Sequence, residues 1–170
     1  PDASDTDVRS ALARLREPQV TAGGVNLVIG FGPALWRRLA PDAVPAGFHE
    51  YDTIEGLDGT VAPGTQRDIW VWVHGTGEDV AFDTARGVGL VLASVATVEL
   101  DIPAFVYKDS RDLTGFVDGT ANPPMDEAGD VALVPGGHPG EGGSFVIAQK
   151  WVHDLEAFHA LPVDEQEKVF

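Results

Sequence analysis

Asp118 stands between Gly115 and Gly119 in the stretch Asp112-Leu113-Thr114-Gly115-Phe116-Val117-Asp118-Gly119-Thr120-Ala121-Asn122-Pro123. A carboxylate on a glycine-bracketed loop can be brought close to a ligand, because glycine adopts unusual backbone angles and adds no bulk. Such an acid can move protons at a reacting centre. The competing reading is an Asx turn, in which the carboxylate accepts backbone N–H groups around Gly119-Thr120. Arg111 and Asp112 lead into the stretch and Asn122-Pro123 fixes its exit, a setting that shifts the balance toward function.

The remaining candidates are weaker. His49, His74, His138, His153 and His159 show no metal-ligand spacing such as i, i+4 on one helix, and they read as core-edge or surface histidines. His138 lies in the loop Pro135-Gly136-Gly137-His138-Pro139-Gly140, where nothing supports a ligand role. Asp126 and Asp130 follow Asp118 without the spacing of a calcium loop. Trp70 and Trp72 share one face of a strand by period-2 geometry and are expected in the core. The chain has no cysteine, which excludes disulfides, thiolate catalysis and cysteine-ligated zinc or iron–sulfur sites, and fits a reducing compartment.

The 170 residues suffice for one domain or a large part of one, and 44% of them are apolar, enough for a core. Eleven basic and 27 acidic residues give a net charge of −16. That charge argues against binding nucleic acid or an anionic membrane. It suits a solvated acidic surface, or one that meets a basic partner or a cationic substrate. No apolar run reaches membrane-spanning length and no signal peptide is visible. Pro1 is not an initiator residue, so residues are expected to be missing from the front.

The elements that must position the acid follow from periodicity. A helix is expected over residues 5–16, capped by Ser4 or Asp5, with Val8, Leu12 and Leu15 on one face and Pro18 beyond its end. Strands are expected over 25–31 and 68–74, with a short helix over 34–39 begun by Gly32-Pro33. Residues 41–67 read as a long surface loop. A long helix over 78–95 is followed by expected strands over 97–107 and 144–152 and by short helices over 154–160 and 163–170. Residues 109–143 form a glycine- and proline-rich loop region that carries the signature. The order implies an α+β fold with helices on one face of a mainly antiparallel sheet. A strand before residue 1 would complete a ferredoxin-like β-α-β-β-α-β pattern.

The stretch G-F-V-D-G-T-A-N-P, residues 115–123, resembles the GxxDG signature of the dye-decolourising peroxidases, a haem family. The resemblance widens to residues 109–123, to 142–155, to 161–167, and to 28–32 with Trp36 and Leu39, and so covers almost the entire chain. GxxDG alone is weak; the combination is specific. It implies a two-domain fold, with a ferredoxin-like domain over 1–108 that lacks its first strand. The signature loop and an incomplete start of the haem domain would occupy 109–170. It implies a peroxidase that binds haem b, reduces hydrogen peroxide and oxidises dyes, phenols or similar donors. Asp118 would be the distal acid/base that carries a proton from the inner to the outer peroxide oxygen, and Gly119, Thr120 and Ala121 would contact the haem. No metal ligand is carried over onto these residues, because the proximal His and the distal Arg of the family are expected beyond Phe170. A second polypeptide segment would then complete the haem site.

Trp36, Trp70, Trp72, Trp151, Tyr51 and Tyr107 offer an electron relay from haem to a surface donor, with core packing as the alternative. The family implies a homo-oligomer in the cytoplasm and leaves open enclosure in an encapsulin nanocompartment. Two other functions fit the fold: a haem- or iron-handling protein without peroxide turnover, and a non-catalytic acidic interaction module. An acid kept between two glycines favours the peroxidase over the module.

Overall fold

The computed structural model describes residues 3–15, 24–75, 77–117 and 122–169. Asp118, Gly119, Thr120 and Ala121 lie outside the described residues, as does the expected helix end at Arg16. The elements are α1 (Asp5–Leu12), β1 (Val25–Phe31), α2 (Pro33–Leu39), a 3₁₀ turn at Pro41–Ala43, β2 (Ile54–Glu55), β3 (Val61–Ala62), β4 (Ile69–Gly75), α3 (Glu78–Leu92), α4 (Ala128–Ala132), α5 (Leu155–His159) and α6 (Val163–Gln166). They fall into two compact units. The first is Pro1–Leu100 with Leu133–Phe145, and the second is Asp101–Ala132 with Val146–Phe170.

The first unit is an α+β assembly. Ser4 begins α1 by accepting the Asp7 N–H at 3.2 Å, and Asp5 and Asp7 place negative charge where the first turn exposes N–H groups. Val8 and Ala11 then fall on one face and are buried. Pro33 starts α2, where its missing N–H has no intrahelical partner to lose, and Leu35 and Leu39 turn inward. Leu92 at the end of α3 and Val95 just beyond close a cluster with Val8, Ala11, Leu35 and Leu39. Phe31 and Ile69 pack against it from the sheet.

That sheet pairs β1 with β4 antiparallel, from Val25 opposite Gly75 to Phe31 opposite Ile69. The ladder continues through the Gly32 N–H to the Asp68 carbonyl at 2.9 Å. A side chain at Gly32 would collide with the Arg67 carbonyl, which explains the glycine there. Alternate residues put Trp70, Trp72 and His74 on the face away from Ile69 and Phe31. Trp70 and Trp72 do share a face, with ring centroids 6.2 Å apart, but they are not core residues: Trp72 is 49% exposed. The buried cluster takes the opposite face, and the aromatic side of β4 is left partly exposed, Trp72 most of all.

Several expected elements differ. Residues 97–107 and 144–152 form no strand among the described residues; Ser144 makes one isolated bridge, to Leu133. Their β-prone side chains are present, but a strand exists only when its N–H and C=O groups meet a second strand. Val98, Leu100, Phe105, Val146, Ile147 and Val152 are accordingly exposed. Within 41–67 a hairpin joins β2 and β3, its turn held by Asp58, which accepts the Thr60 hydroxyl at 2.7 Å and its N–H at 3.2 Å. The helices α1, α3, α5 and α6 are shorter than the periodicity suggested, and α4 arises inside the expected loop region.

The second unit is built from turns and short helices. Asp154 caps α5 by accepting the Ala157 N–H at 2.9 Å, and Phe158 on that helix is buried. An isolated bridge pairs Arg111 with Val117. No helix among the described residues is long and apolar enough to cross a membrane.

Candidate functional site

The approach to the signature winds in the left-handed sense. Lys108, Asp109 and Ser110 have φ of 25°, 56° and 63°, a conformation that residues with a Cβ rarely adopt. The chain is then caught by the Arg111 N–H, which donates to the Tyr107 carbonyl at 2.9 Å.

A tight turn follows over residues 112–116. The Asp112 N–H donates to the Phe116 carbonyl at 3.0 Å and the Gly115 N–H returns to the Asp112 carbonyl at 2.9 Å. Gly115 has φ of 95°, which requires glycine, and its vacant Cβ position faces open space. The Arg111 guanidinium donates to the Gly115 carbonyl at 2.8 Å. The bridge between Arg111 and Val117 therefore closes a small polar staple immediately before residue 118.

The Asp112 carboxylate is the hub of this staple. Its Oδ1 accepts the Thr114 hydroxyl at 2.7 Å and the Thr114 N–H at 2.8 Å, an Asx turn. Its Oδ2 lies 2.9 Å from His153 Nε2, with both side chains about one quarter exposed. A carboxylate only accepts, so Nε2 is the donor. The Thr114 hydroxyl and N–H, and then His153, stabilise the ionised form and pull the Asp112 carboxyl down to about 2. A second tie joins the turn to the same part of the chain: Phe116 meets Phe158 edge to face, centroids 6.0 Å apart.

Asp112, six residues before Asp118, thus makes an Asx turn of its own; the Asx turn weighed for Asp118 lies outside the described residues. Its signal was legible as an acid with threonine two residues on. His153 was read as a core-edge or surface histidine, and its bond to an acid 41 residues away has no local sequence signature. Three of the other four histidines make contacts elsewhere: His49 Nδ1 lies 2.7 Å from the Glu50 carbonyl, His74 stacks on Trp72 at 4.1 Å, and His159 stands edge-on to Phe158 at 5.8 Å. No group of three or more metal-ligating side chains gathers among the described residues.

The flank of the turn bears on whether a haem fits. Gly115 presents no side chain, while Val117 and Leu113 expose 59% and 36% of their surface. Small and apolar groups suit a porphyrin face. A polar hollow of about 210 Å³ in the first unit, lined by Gly32, Gln66, Arg67, Asp68 and Glu99, does not, because Arg67 and Glu99 pair at 2.6 Å across its lining.

Two family profiles match the chain: the Dyp-type peroxidase N-terminal profile over residues 7–105 and the Dyp-type peroxidase C-terminal profile over residues 109–170. A dye-decolorizing peroxidase from Rhodococcus erythropolis is 38% identical, over 94% of this chain and 47% of its own length. One from Brevibacterium linens is 37% identical, over 96% of this chain and 43% of its own. Among solved structures, a variant of Rhodococcus jostii RHA1 DypB in complex with heme superposes with a TM-score of 0.87 at 34% identity, covering 100% of this chain and 58% of that one. The dye-decolorizing peroxidase from Bacteroides thetaiotaomicron superposes with a TM-score of 0.77 at 32% identity, covering 97% and 52%. The chain spans about half the length of these relatives. With the N-terminal profile alone covering more than half of its residues, and the C-terminal profile lying over the turn and α5, the chain belongs to the Dyp-type peroxidase family.

Proposed function

We propose that the protein to which these residues belong is a haem-dependent peroxidase that reduces hydrogen peroxide and oxidises dyes, phenols or similar aromatic donors. The observation that carries this reading is the superposition of every part of the chain on a heme-bound DypB, at 34% identity. The staple over residues 111–117 supports it locally, because it delivers a fixed backbone to the residue before Asp118.

In this reading Asp118 is the acid/base on the distal side. It takes a proton from the inner oxygen of peroxide and returns it to the outer one, so that water can leave. Proton transfer by a positioned group accelerates such steps about 10²–10⁴-fold. Gly119, Thr120 and Ala121 line the porphyrin edge, where small side chains allow close approach. Bound haem b would lend the two electrons that break the peroxide O–O bond and recover them from the donor, so that peroxide is the net oxidant. The iron ligand and the distal Arg come from polypeptide beyond these residues, and the first domain is of ferredoxin-like type, its sheet completed by a strand that precedes residue 1. The first domain would run over 1–108 and the haem domain would begin at 109.

The test uses the full-length protein. A Soret band at one haem per chain, with peroxide-dependent dye oxidation, is expected. Asp118→Ala and Asp118→Asn should keep the Soret band and slow the reaction with peroxide by about 10²-fold or more. Wild-type rates in both variants would remove Asp118 from the reaction.

A further inference from the structure

We infer that His153 is a positioning residue for the signature loop: its Nε2–H bond to the Asp112 carboxylate, 2.9 Å long, latches the turn over residues 112–116 to the segment that begins α5. The latch rests on the proposed function only for its consequence, the aim of Asp118.

Three observations carry it. Asp112 already spends Oδ1 on Thr114, so Oδ2 is the oxygen left for a tie to a distant part of the chain, and His153 occupies it. The residue after His153 is Asp154, the cap of α5, so the imidazole is carried by a chain segment whose direction is set by a helix start. The Phe116–Phe158 contact makes a second tie, from the same turn to α5, the helix that this segment begins. Two ties prevent the turn from pivoting about either one. The backbone leaving the turn at Val117 is held to Arg111, and the next residue is Asp118.

The chemistry predicts which replacements serve. A glutamine places its amide nitrogen about where a histidine places Nε2 and donates to a carboxylate; an asparagine is too short; an alanine has no donor. Asp112 must suffer in the same way, because the two side chains form one unit, and their losses must not add.

The experiment compares His153→Ala, His153→Asn and His153→Gln with Asp112→Asn and the double variant Asp112→Asn/His153→Ala, in the full-length protein. Amide hydrogen exchange over residues 112–117 is followed with and without haem, alongside the rate of reaction with peroxide. Exchange in the turn should rise about tenfold or more in the alanine and asparagine variants, as loss of a bond to a charged group implies, and return toward wild type with glutamine. The double variant should match the worse single one. The peroxide rate should fall with the loosened turn and recover with glutamine, at unchanged haem content.

Unchanged exchange in His153→Ala, or additive losses in the double variant, would overturn the latch. A loosened turn with a wild-type peroxide rate would overturn its link to the reaction. The two readings separate cleanly: Asp118→Asn reacting at full rate, with the turn still loosened by His153→Ala, removes the acid/base role and leaves the latch standing.

Discussion

In the first unit Val8, Ala11, Leu35, Leu39, Leu92 and Val95 are each less than a tenth exposed and pack together; in the second, Phe158 is the one side chain among the described residues buried to that degree. The first unit brings together two strands and three helices drawn from distant stretches: a hydrogen-bonded ladder joins the strands, and contacts without direction pack the helices into the buried cluster. The second holds a seven-residue staple through directional bonds to charged groups: Arg111 to a carbonyl, Thr114 and His153 to Asp112. Apolar burial tolerates adjustment of side chains and sets where elements lie. Charge-assisted bonds tolerate little displacement and set where single atoms lie. A framework and a placement device are therefore separate parts of this chain, and substitutions can address them one at a time.

The largest test strikes the framework. Leu35→Ala removes a 7%-exposed side chain from the centre of the cluster and should destabilise the protein by about 2–5 kcal/mol in denaturant unfolding. A loss under about 1 kcal/mol would mean that the cluster does not hold the first unit.

The placement device comes next. Asp112→Ala strands the Thr114 N–H and the His153 donor in partly buried positions and should loosen the turn by about 1–2 kcal/mol, read by exchange at Thr114–Phe116. The shift in the global unfolding midpoint should be smaller than for Leu35→Ala; an equal shift would erase the contrast between the two regions. The same carboxylate has a pH signature. Its folded value of about 2 lies below the ordinary 3.8, so its contribution is present in full above about pH 4 and is lost as pH falls through about 2. Protection of the turn should fade in that window in the wild type and show no such step in Asp112→Asn.

The smallest effect is at the edge of the framework. Ser4→Ala removes the cap of the eight-residue helix α1 and should cost about 1 kcal/mol in the same denaturant assay. Ser4→Asp should restore it, since aspartate caps equally well.

The two regions also differ in how far they could be read from the chain. The expected strand over 25–31 stands as β1, and Pro33 begins α2 where proline is tolerated. Hydrophobic period and punctuation are local signals, and local signals suffice there. Residues 97–107 and 144–152 carry the same β-branched and aromatic composition without forming strands, because strand formation depends on a partner that composition does not name. Trp72 shows the related error: period-2 geometry assigns it a face, but which face is buried depends on where the helices pack. At the site the signature directed attention to Asp118, while the group that the described residues organise is Asp112. The threonine two residues beyond it was visible in the sequence; His153, brought in from a separate stretch, was not.

Lys108, Asp109 and Ser110 are all exposed, and positions of that kind ordinarily accept almost any replacement. Here the constraint is chirality and not crowding: each L-residue spends about 1–2 kcal/mol to coil against its natural hand. Sequence drift at these three sites should run in one direction, toward glycine and asparagine and away from valine or isoleucine. The entrance to the signature is thus policed by mirror symmetry.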